Sequence, residues 1–254
     1  MNLHFRAEGK GKTIVLIHGL FGSADNLGLL ARELKHHYHV ISVDLRNHGL
    51  SPHNDLFSYQ DLAQDIIDTL DHLAIEQFDV VGHSMGAKVA MALTALIPQR
   101  IHHLVVLDMA PVAYQGHRHQ NVFDGLREIN RHLITKRSEA EQYLARFIND
   151  AGVRQFLLKS LVKTETGYQW RFNVEGLIAN YATIMGWHPA SQPFTGKTLF
   201  IKGQLSDYIE PQYHDAIMAQ FPNAKAHVVA NTGHWLHAEK SETVNRIINQ
   251  FLDQ

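Results

Sequence analysis

The amino-acid sequence predicts an α/β fold: a mostly parallel sheet with helices on both faces and an α-helical insertion. Short apolar runs rich in β-branched residues, typical of buried strands, alternate with longer helix-favouring segments over residues 1–110. The alternation stops over residues 111–195, which hold no convincing long strand, and it resumes over residues 196–254. The sequence therefore predicts one core built from residues 1–110 and 196–254, with residues 111–195 inserted over one end of the sheet.

Five strands and three helices are predicted in the first piece of the core. Each strand except the first, which lies at the sheet edge, is apolar enough to be buried. The strands are residues 3–7, 13–17, 40–45, 78–81 and 103–107. The helices, which include one amphipathic and one alanine-rich segment, are residues 25–36, 59–73 and 87–96.

The insertion and the second piece of the core are interpreted in the same way. Helices are predicted in the insertion, together with one short extended piece at residues 170–173. The helices are residues 121–133, 138–149, 152–162 and 174–185. In the second piece of the core, strands and helices alternate again, at residues 198–202, 212–220, 226–229 and 239–252.

The composition excludes several classes of protein. The formal net charge of −2 gives no reason to expect nucleic acid or an anionic membrane surface as a partner. The chain contains no cysteine, so disulfides, a cysteine nucleophile and thiolate metal sites are excluded. The first residues lack a signal-peptide pattern, and the apolar run near them is too short to span a membrane. A cytoplasmic protein is therefore expected.

The 19 histidines raise the question of a metal site. The densest groups are residues 36–39 and 117–119. Neither group has the i, i+4 spacing beside a carboxylate that a helical metal site uses. We therefore expect solvated surface histidines and no specific metal ion.

Residues 82–86, Gly-His-Ser-Met-Gly, lie between a predicted strand and a predicted helix. A sharp turn there holds its central residue at strained dihedral angles, and side chains at the two glycines would collide with the flanking elements. The turn raises Ser84 Oγ above a helix N-terminus, where backbone N–H groups and the helix dipole favour an oxyanion. Ser84 is therefore the predicted nucleophile.

Residues 18–22, His-Gly-Leu-Phe-Gly, follow a predicted buried strand at its carboxyl end. A glycine-flanked turn at that place can aim a backbone N–H at the space over Ser84. We predict an oxyanion hole whose donors are the N–H groups of Leu20 and Met85. The N–H of Phe21 is the alternative to that of Leu20.

His234 lies in the segment Asn-Thr-Gly-His-Trp, after the last predicted strand. The carboxyl ends of the strands form the active edge of an open α/β sheet, so a loop at this edge can reach Ser84. Triads with this kind of nucleophile run in the order serine, acid, histidine. His234 is the predicted base, and His237, which we place at the entry to the next helix, is the runner-up.

Two aspartates are candidates for the acid. Asp108 ends a buried strand, where a carboxylate needs a partner. Asp207 lies in a polar loop after the strand at residues 198–202, where aspartate often only caps a turn. The sequence favours Asp108 and leaves Asp207 as the alternative acid.

Several aromatic side chains near these motifs are expected to form core and pocket wall rather than a cofactor site. The candidates for substrate binding are Phe21, Trp235, Trp170 and Trp187. Residues 44–51, Asp-Leu-Arg-Asn-His-Gly-Leu-Ser, close another strand, and we interpret them as a charged loop that fixes local backbone without direct chemistry.

These motifs, in their combined order, resemble the α/β-hydrolase superfamily over the whole chain. They are residues 18–19, 44–51, 82–86 and 233–234. Within the superfamily the chain is similar to the YbfF-type esterases, in four segments at residues 46–49, 108–111, 156–160 and 170–173. The resemblance implies an eight-stranded sheet with a helical cap, hydrolysis of carboxyl esters and acyl thioesters including acyl-CoA, and no cofactor. It also implies that the acid follows the sixth strand, which here is Asp108.

We therefore expect two-step acyl transfer on a small-molecule ester or acyl-CoA substrate. Two other classes of function fit the same motifs. The fold also supports lyases, C–C bond hydrolases and perhydrolases, and a hydrolase-like receptor would bind a ligand without useful turnover. A substrate panel separates the first class, and burst kinetics with a chromogenic ester separate the second. The sequence indicates neither the acyl chain length nor the oligomeric state.

Overall fold

In the computed structural model, which describes residues 1–254, the chain forms nine strands. They are β1 (Phe5–Glu8), β2 (Lys12–Ile17), β3 (Tyr38–Val43), β4 (Phe78–His83), β5 (Ile101–Leu107), β6 (Leu161–Lys163), β7 (Tyr168–Trp170), β8 (Lys197–Gly203) and β9 (Ala224–Val229). Seven strands form the main sheet in the order β1-β3-β2-β4-β5-β8-β9, in which only β1 is antiparallel to its neighbour. The remaining two, β6 and β7, pair as a separate antiparallel hairpin.

The chain also forms eleven α-helices. They are α1 (Gly28–Leu34), α2 (Tyr59–His72), α3 (Met85–Leu96), α4 (Gln120–Asn130), α5 (Arg137–Leu144), α6 (Ala151–Leu158), α7 (Val174–Ala179), α8 (Tyr181–Met185), α9 (His214–Gln220), α10 (Leu236–Glu239) and α11 (Ser241–Leu252). None of them is long and apolar enough to cross a bilayer.

The central strands are buried on both sides because their side chains alternate between two apolar layers. In β2, Val15 and Ile17 belong to a cluster with residues of α2 and α3. Ile14 and Leu16, from the same strand, belong to a second cluster with residues of α1 and α11. The predicted α/β fold, with helices on both faces of a mostly parallel sheet, is confirmed.

The main sheet has seven strands rather than the eight that the family resemblance implies. No strand precedes β1, which is the edge of the sheet. The residues before it are held by other contacts: the Leu3 N–H donates to Thr69 Oγ1 in α2 (3.0 Å), and the His4 N–H donates to Ser51 Oγ (2.8 Å).

Between β5 and β8 the chain leaves the main sheet and forms α4 to α8 and the β6–β7 hairpin. Two details differ from the sequence prediction. The helix predicted over residues 152–162 ends at Leu158, and the strand β6 follows it. The sequence pattern did not predict this strand, because three residues are too few to give a periodic signal. The helix predicted over residues 174–185 is divided at Asn180, whose Nδ2 donates to the Gly176 carbonyl oxygen (2.9 Å).

Parallel strands bring their carboxyl ends to one edge of the sheet. The segments that follow β2, β3, β4, β5, β8 and β9 all leave from this edge. They carry the motifs that the sequence singled out, so residues far apart in the chain converge there.

Candidate active site

Ser84 occupies a strained turn between β4 and α3. Its φ of 55° and ψ of −123° lie in a region that non-glycine residues rarely adopt. A side chain at Gly82 would place its Cβ 2.3 Å from the Gly86 carbonyl oxygen, and one at Gly86 would lie 2.3 Å from the His18 carbonyl oxygen. The expected steric need for both glycines is therefore confirmed.

The Ser84 hydroxyl neither caps α3 nor fixes the turn in which it lies. The backbone N–H of Ser84 donates to the Leu107 carbonyl oxygen (3.1 Å), which fixes the turn against β5. The side chain caps no backbone N–H of α3, although it stands at the N-terminus of that helix. Instead, Ser84 lines a cavity of about 670 Å³ at the active edge of the sheet.

His234 and Asp108 are joined directly. The His234 Nδ1–H donates to Asp108 Oδ2 (2.7 Å), and the carboxylate is completely buried. Asp108 also accepts from the Gly203 N–H at Oδ1 (3.0 Å) and from the Ser206 hydroxyl at Oδ2. With three donors around it, the carboxylate is held as an acceptor that orients the imidazole.

Asp207, the alternative acid, does not contact His234. Its side chain is 65% exposed, and Oδ1 accepts a hydrogen bond from Arg118 Nη1 (2.9 Å). The Arg118 guanidinium in turn lies over the Tyr208 ring, 4.9 Å from its centroid. Of the two aspartates, the structure brings Asp108 to the histidine and leaves Asp207 at the surface.

Two backbone N–H groups near Ser84 have no protein partner. One belongs to Met85, the first residue of α3, and the other to Leu20. The loop at residues 18–22, which we call the oxyanion loop after its predicted role, runs close to the serine, since a Cβ on Gly19 would lie 3.0 Å from Ser84 Cβ. The Phe21 N–H, the alternative donor, is already engaged by His48 Nε2 (3.2 Å).

His83 and His237 pack beside His234 but carry no carboxylate partner. The His83 Nε2–H donates to the His234 carbonyl oxygen (2.9 Å), and the His237 ring lies 4.3 Å from the His83 ring. Burial lowers the pKa of His83 well below its usual range and that of His237 to about 3, so both are neutral at pH 7. His237 Nδ1 is buried without a partner, which makes His237 a poorer base than His234.

Sequence reasoning missed three residues that contact the histidine or its acid. They are Ser206, which donates to Asp108, Tyr208, whose ring stacks 4.0 Å from the His234 ring, and His83. Ser206 and Tyr208 lie in an ordinary polar loop with no motif of its own. His83 stands inside the serine motif, where its position next to Ser84 was the available signal. No group of three or more His, Asp or Glu side chains is arranged to hold a metal ion.

The predicted aromatic pocket residues divide into two pairs. Phe21 and Trp235 line the cavity that contains Ser84. Trp170 and Trp187 do not line it, and the structure places this second pair away from Ser84. Trp170 stacks on Phe172 (5.2 Å) and donates its indole N–H to the Leu126 carbonyl oxygen (3.3 Å), inside the insertion. Trp187 lines a separate cavity.

The comparisons with known proteins agree on one family. Residues 14–247 match the model of the alpha/beta hydrolase family. The chain is 45% identical to esterase YbfF of Escherichia coli over 100% of both sequences. It is 36% identical to the sn-1-specific diacylglycerol lipase ABHD11 of Mus musculus, over 94% of this chain and 80% of the relative. Among solved structures, a marine microorganism esterase superposes with a TM-score of 0.95 at 36% identity, covering 98% of this chain and 99% of that one.

Proposed function

The chain belongs to the alpha/beta hydrolase family, and on that premise we propose that it hydrolyses carboxyl esters and acyl thioesters through an acyl-enzyme on Ser84. Esterase and lipase relatives support ester hydrolysis. One observation carries the proposal further: the buried Asp108 carboxylate accepts from His234 Nδ1 (2.7 Å), and His234 shares a cavity with Ser84. A serine, a histidine and a carboxylate that orients the histidine are the three members of a catalytic triad.

In the first step, Ser84 Oγ attacks the acyl carbonyl carbon, and His234 Nε2 takes the hydroxyl proton. The bond from His234 Nδ1–H to Asp108 fixes the tautomer that leaves Nε2 free to accept it. The carbonyl oxygen becomes an oxyanion, for which the free N–H groups of Leu20 and Met85 are the proposed donors. Preorganised donors of this kind are worth about 10²- to 10³-fold in kcat each.

In the second step, the imidazolium gives its proton to the departing alcohol or thiol, and the acyl group stays on Ser84. A water molecule then repeats the sequence, with His234 as base, and releases the carboxylic acid. Tyr208 stacks on the imidazole and limits its rotation between the two steps.

We propose that residues 111–195 act as a cap over a core of residues 1–110 and 196–254. The support is positional, because the helices of this segment and the turn between α5 and α6 contribute side chains to the cavity that contains Ser84. The apolar ones are Val122, Phe147, Ile148, Val153, Phe156 and Leu157. Such a wall suits the apolar chain of an acyl group.

Thioesters are included because two cationic side chains, Arg118 and Lys159, line the cavity together with the apolar wall. Such groups can pair with the phosphates that a coenzyme A leaving group carries, although two carboxylates, Asp150 and Glu239, line the same cavity. Paired p-nitrophenyl esters and acyl-CoA thioesters of two to sixteen carbons, assayed under the same conditions, test this choice. Turnover of the esters alone would remove thioesters from the proposal.

Replacement of Ser84 tests the nucleophile. Ser84→Ala should lower kcat by about 10⁴-fold or more, because the covalent route is lost. A fluorophosphonate probe should label the wild-type protein at Ser84 and leave Ser84→Ala unlabelled. Ser191→Ala is the matched control, since Ser191 lines the other cavity and should keep full activity and labelling. A Ser84→Ala variant with more than about a tenth of wild-type activity would exclude this serine.

The cytoplasmic location stays a prediction.

A further inference from the structure

Phe21 links the oxyanion loop to the insertion. It follows Leu20 directly, and its φ of 63° places a bulky side chain in the left-handed region. A residue persists there only when its surroundings hold it. Its ring is 3% exposed and packs against Phe123 and Phe172 of the insertion, with centroids 5.4 Å apart in both pairs.

Both polar backbone groups of Phe21 are held as well. Its N–H donates to His48 Nε2 (3.2 Å), from the loop after β3. Its carbonyl oxygen accepts from the Ser160 hydroxyl (3.1 Å), from the insertion. We call this arrangement of His48, Phe21 and Ser160 the Phe21 clamp. Of the two residues that hold Phe21, His48 belongs to the core and Ser160 belongs to the insertion.

His48 is suited to act as a permanent acceptor. Its Nδ1–H donates to the Arg46 carbonyl oxygen (2.9 Å), so the lone pair is on Nε2. Burial lowers the pKa of His48 to about 3, and the ring therefore stays neutral throughout the physiological range.

The loop before Phe21 is held in a matching way. The Gly19 carbonyl oxygen accepts from the Gly22 N–H (3.1 Å) and from the His18 Nδ1–H (2.8 Å). Because a trans peptide points its N–H opposite to its carbonyl, these bonds direct the Leu20 N–H the other way. The clamp holds the next two peptide units through His48 and Ser160, which fixes the Phe21 Cα and so the place of the chain that carries the Leu20 N–H.

We propose that His48 and Ser160 are positioning residues that orient the Leu20 N–H toward the oxyanion. The packing of the insertion against the core would then control how well the transition state is stabilised. The inference rests on the proposed function. Neither side chain needs to touch the substrate, and both act through Phe21. Neither His48 nor Ser160 lines the cavity that contains Ser84.

The test uses the full chain and a p-nitrophenyl ester. Ser160→Ala should lower kcat about tenfold and His48→Gln about 100-fold, while KM stays within about twofold, because a misplaced oxyanion donor affects the transition state and not the bound ester. The affinity for a trifluoromethyl ketone, whose adduct with Ser84 carries an oxyanion, should fall by the same factors. The affinity for an ether analogue, which lacks the carbonyl, should not change.

Thr164→Ala is the matched control. Thr164 Oγ1 donates to the Gly167 carbonyl oxygen (3.2 Å) in the turn of the β6–β7 hairpin, so this variant also loses one hydroxyl bond of the insertion. It should keep the wild-type kcat. In the double variant, Ser160→Ala should cost less in the His48→Gln background than alone, because both residues act on Phe21.

One outcome would overturn the role of the Phe21 clamp and leave the proposed function standing. In that outcome ester hydrolysis depends on Ser84, but Ser160→Ala is as active as Thr164→Ala and is equally well inhibited by the ketone. If His48→Gln does not fold, Ser160→Ala alone decides the question. A wild-type protein that hydrolyses no ester, or a fully active Ser84→Ala variant, overturns the proposed function and the clamp together.

Discussion

The protein has two cavities of nearly the same volume, about 670 and 660 Å³, and they differ in what faces them. The first, the Ser84 cavity, lies at the N-terminus of α3. The second, the Trp187 cavity, lies beside the carboxyl half of the same helix and is lined by Tyr59, Met91 and Phe194 among others. Volume alone therefore does not indicate which of the two cavities is the candidate reaction site.

The polar groups of the two cavities explain the difference. The Ser84 cavity is lined by Ser84, by Leu20 with its free N–H and by the oriented His234, at the N-terminus of α3, where the helix dipole favours negative charge. In the Trp187 cavity the indole N–H already donates to Gln220 Oε1 (2.8 Å), and Gln220 Nε2 donates to the Pro111 carbonyl oxygen (3.0 Å). These two side chains are already paired and have little left to offer a reacting molecule.

The largest expected effect concerns the acid behind the Ser84 cavity. Asp108→Asn should lower kcat by about 10⁴-fold, because an amide can donate to His234 Nδ1 and hold the wrong tautomer. Asp207→Asn should change kcat less than about twofold, since it breaks only an exposed ion pair with Arg118. Steady-state kinetics of the two variants, with circular dichroism to check folding, measure the contrast. If Asp207→Asn lost most of its kcat and Asp108→Asn kept it, the acid would instead be Asp207, in the loop after β8.

A second, smaller effect separates the walls of the two cavities. Trp235 and Phe156 pack against each other (5.8 Å) in the Ser84 cavity, so Phe156→Ala should change the preference for acyl length. We expect kcat/KM to fall about tenfold more for long chains than for acetate, at about 0.8 kcal/mol for each CH₂ group that loses its contact.

Trp187→Phe is the matched change in the other cavity. It should lower the free energy of unfolding by about 1 kcal/mol through the lost bond to Gln220, and leave the ratio of long-chain to short-chain kcat/KM unchanged. A ladder of p-nitrophenyl esters and a urea titration measure both quantities. An equal loss across the ladder for Phe156→Ala would indicate damage to folding, and a shifted preference in Trp187→Phe would join the second cavity to the substrate site.

The sequence predicted the elements around Ser84 well because the local pattern determines them. The apolar strand β4, the two glycines and the alanine-rich α3 each have a short-range signal. The chain order led to His234, and the position of Asp108 at the end of a buried strand favoured it over Asp207. The two tryptophans show the limit. Trp170 and Trp187 occur in the insertion near aromatic neighbours, but the direction in which each side chain points depends on tertiary packing.

The loop at residues 44–51 shows a second limit. Its interpretation as a charged loop that fixes backbone is supported by Asp44, whose carboxylate accepts from the N–H groups of Ala24 (2.7 Å) and Leu50 (2.9 Å). The bond from the Phe21 N–H to His48 spans 27 residues, and no periodicity or motif reports a contact between two loops at that separation.

The smallest expected effect concerns Lys88, which lies behind the Trp187 cavity one turn after Ser84. Its ammonium is buried and donates to the carbonyl oxygens of Met185 (3.1 Å) and Gly186 (2.7 Å), where the insertion returns to the core. The rings of Tyr59 and Tyr114 face it from two other elements. Burial raises the pKa of both tyrosines, so they stay neutral, and no carboxylate compensates the lysine.

Burial lowers the pKa of Lys88 from 10.5 to about 7, which makes the stability of the fold depend on pH. Above pH 7 the unfolded chain binds the proton more tightly than the folded chain, so the contribution of this group to the free energy of unfolding rises with pH. From pH 7.5 to 8.5 the free energy of unfolding of the wild type, relative to Lys88→Met, should therefore increase by about 1 kcal/mol. Urea titrations of both proteins at the two pH values measure the difference, with Lys225→Met as the control, because Lys225 forms its bond at the surface and should show no such change. A difference that stays constant between pH 7.5 and 8.5 would mean that the two carbonyl oxygens and the two rings offset the effect of burial on the charged form, and Lys88 would then fasten the insertion to the core as an ammonium.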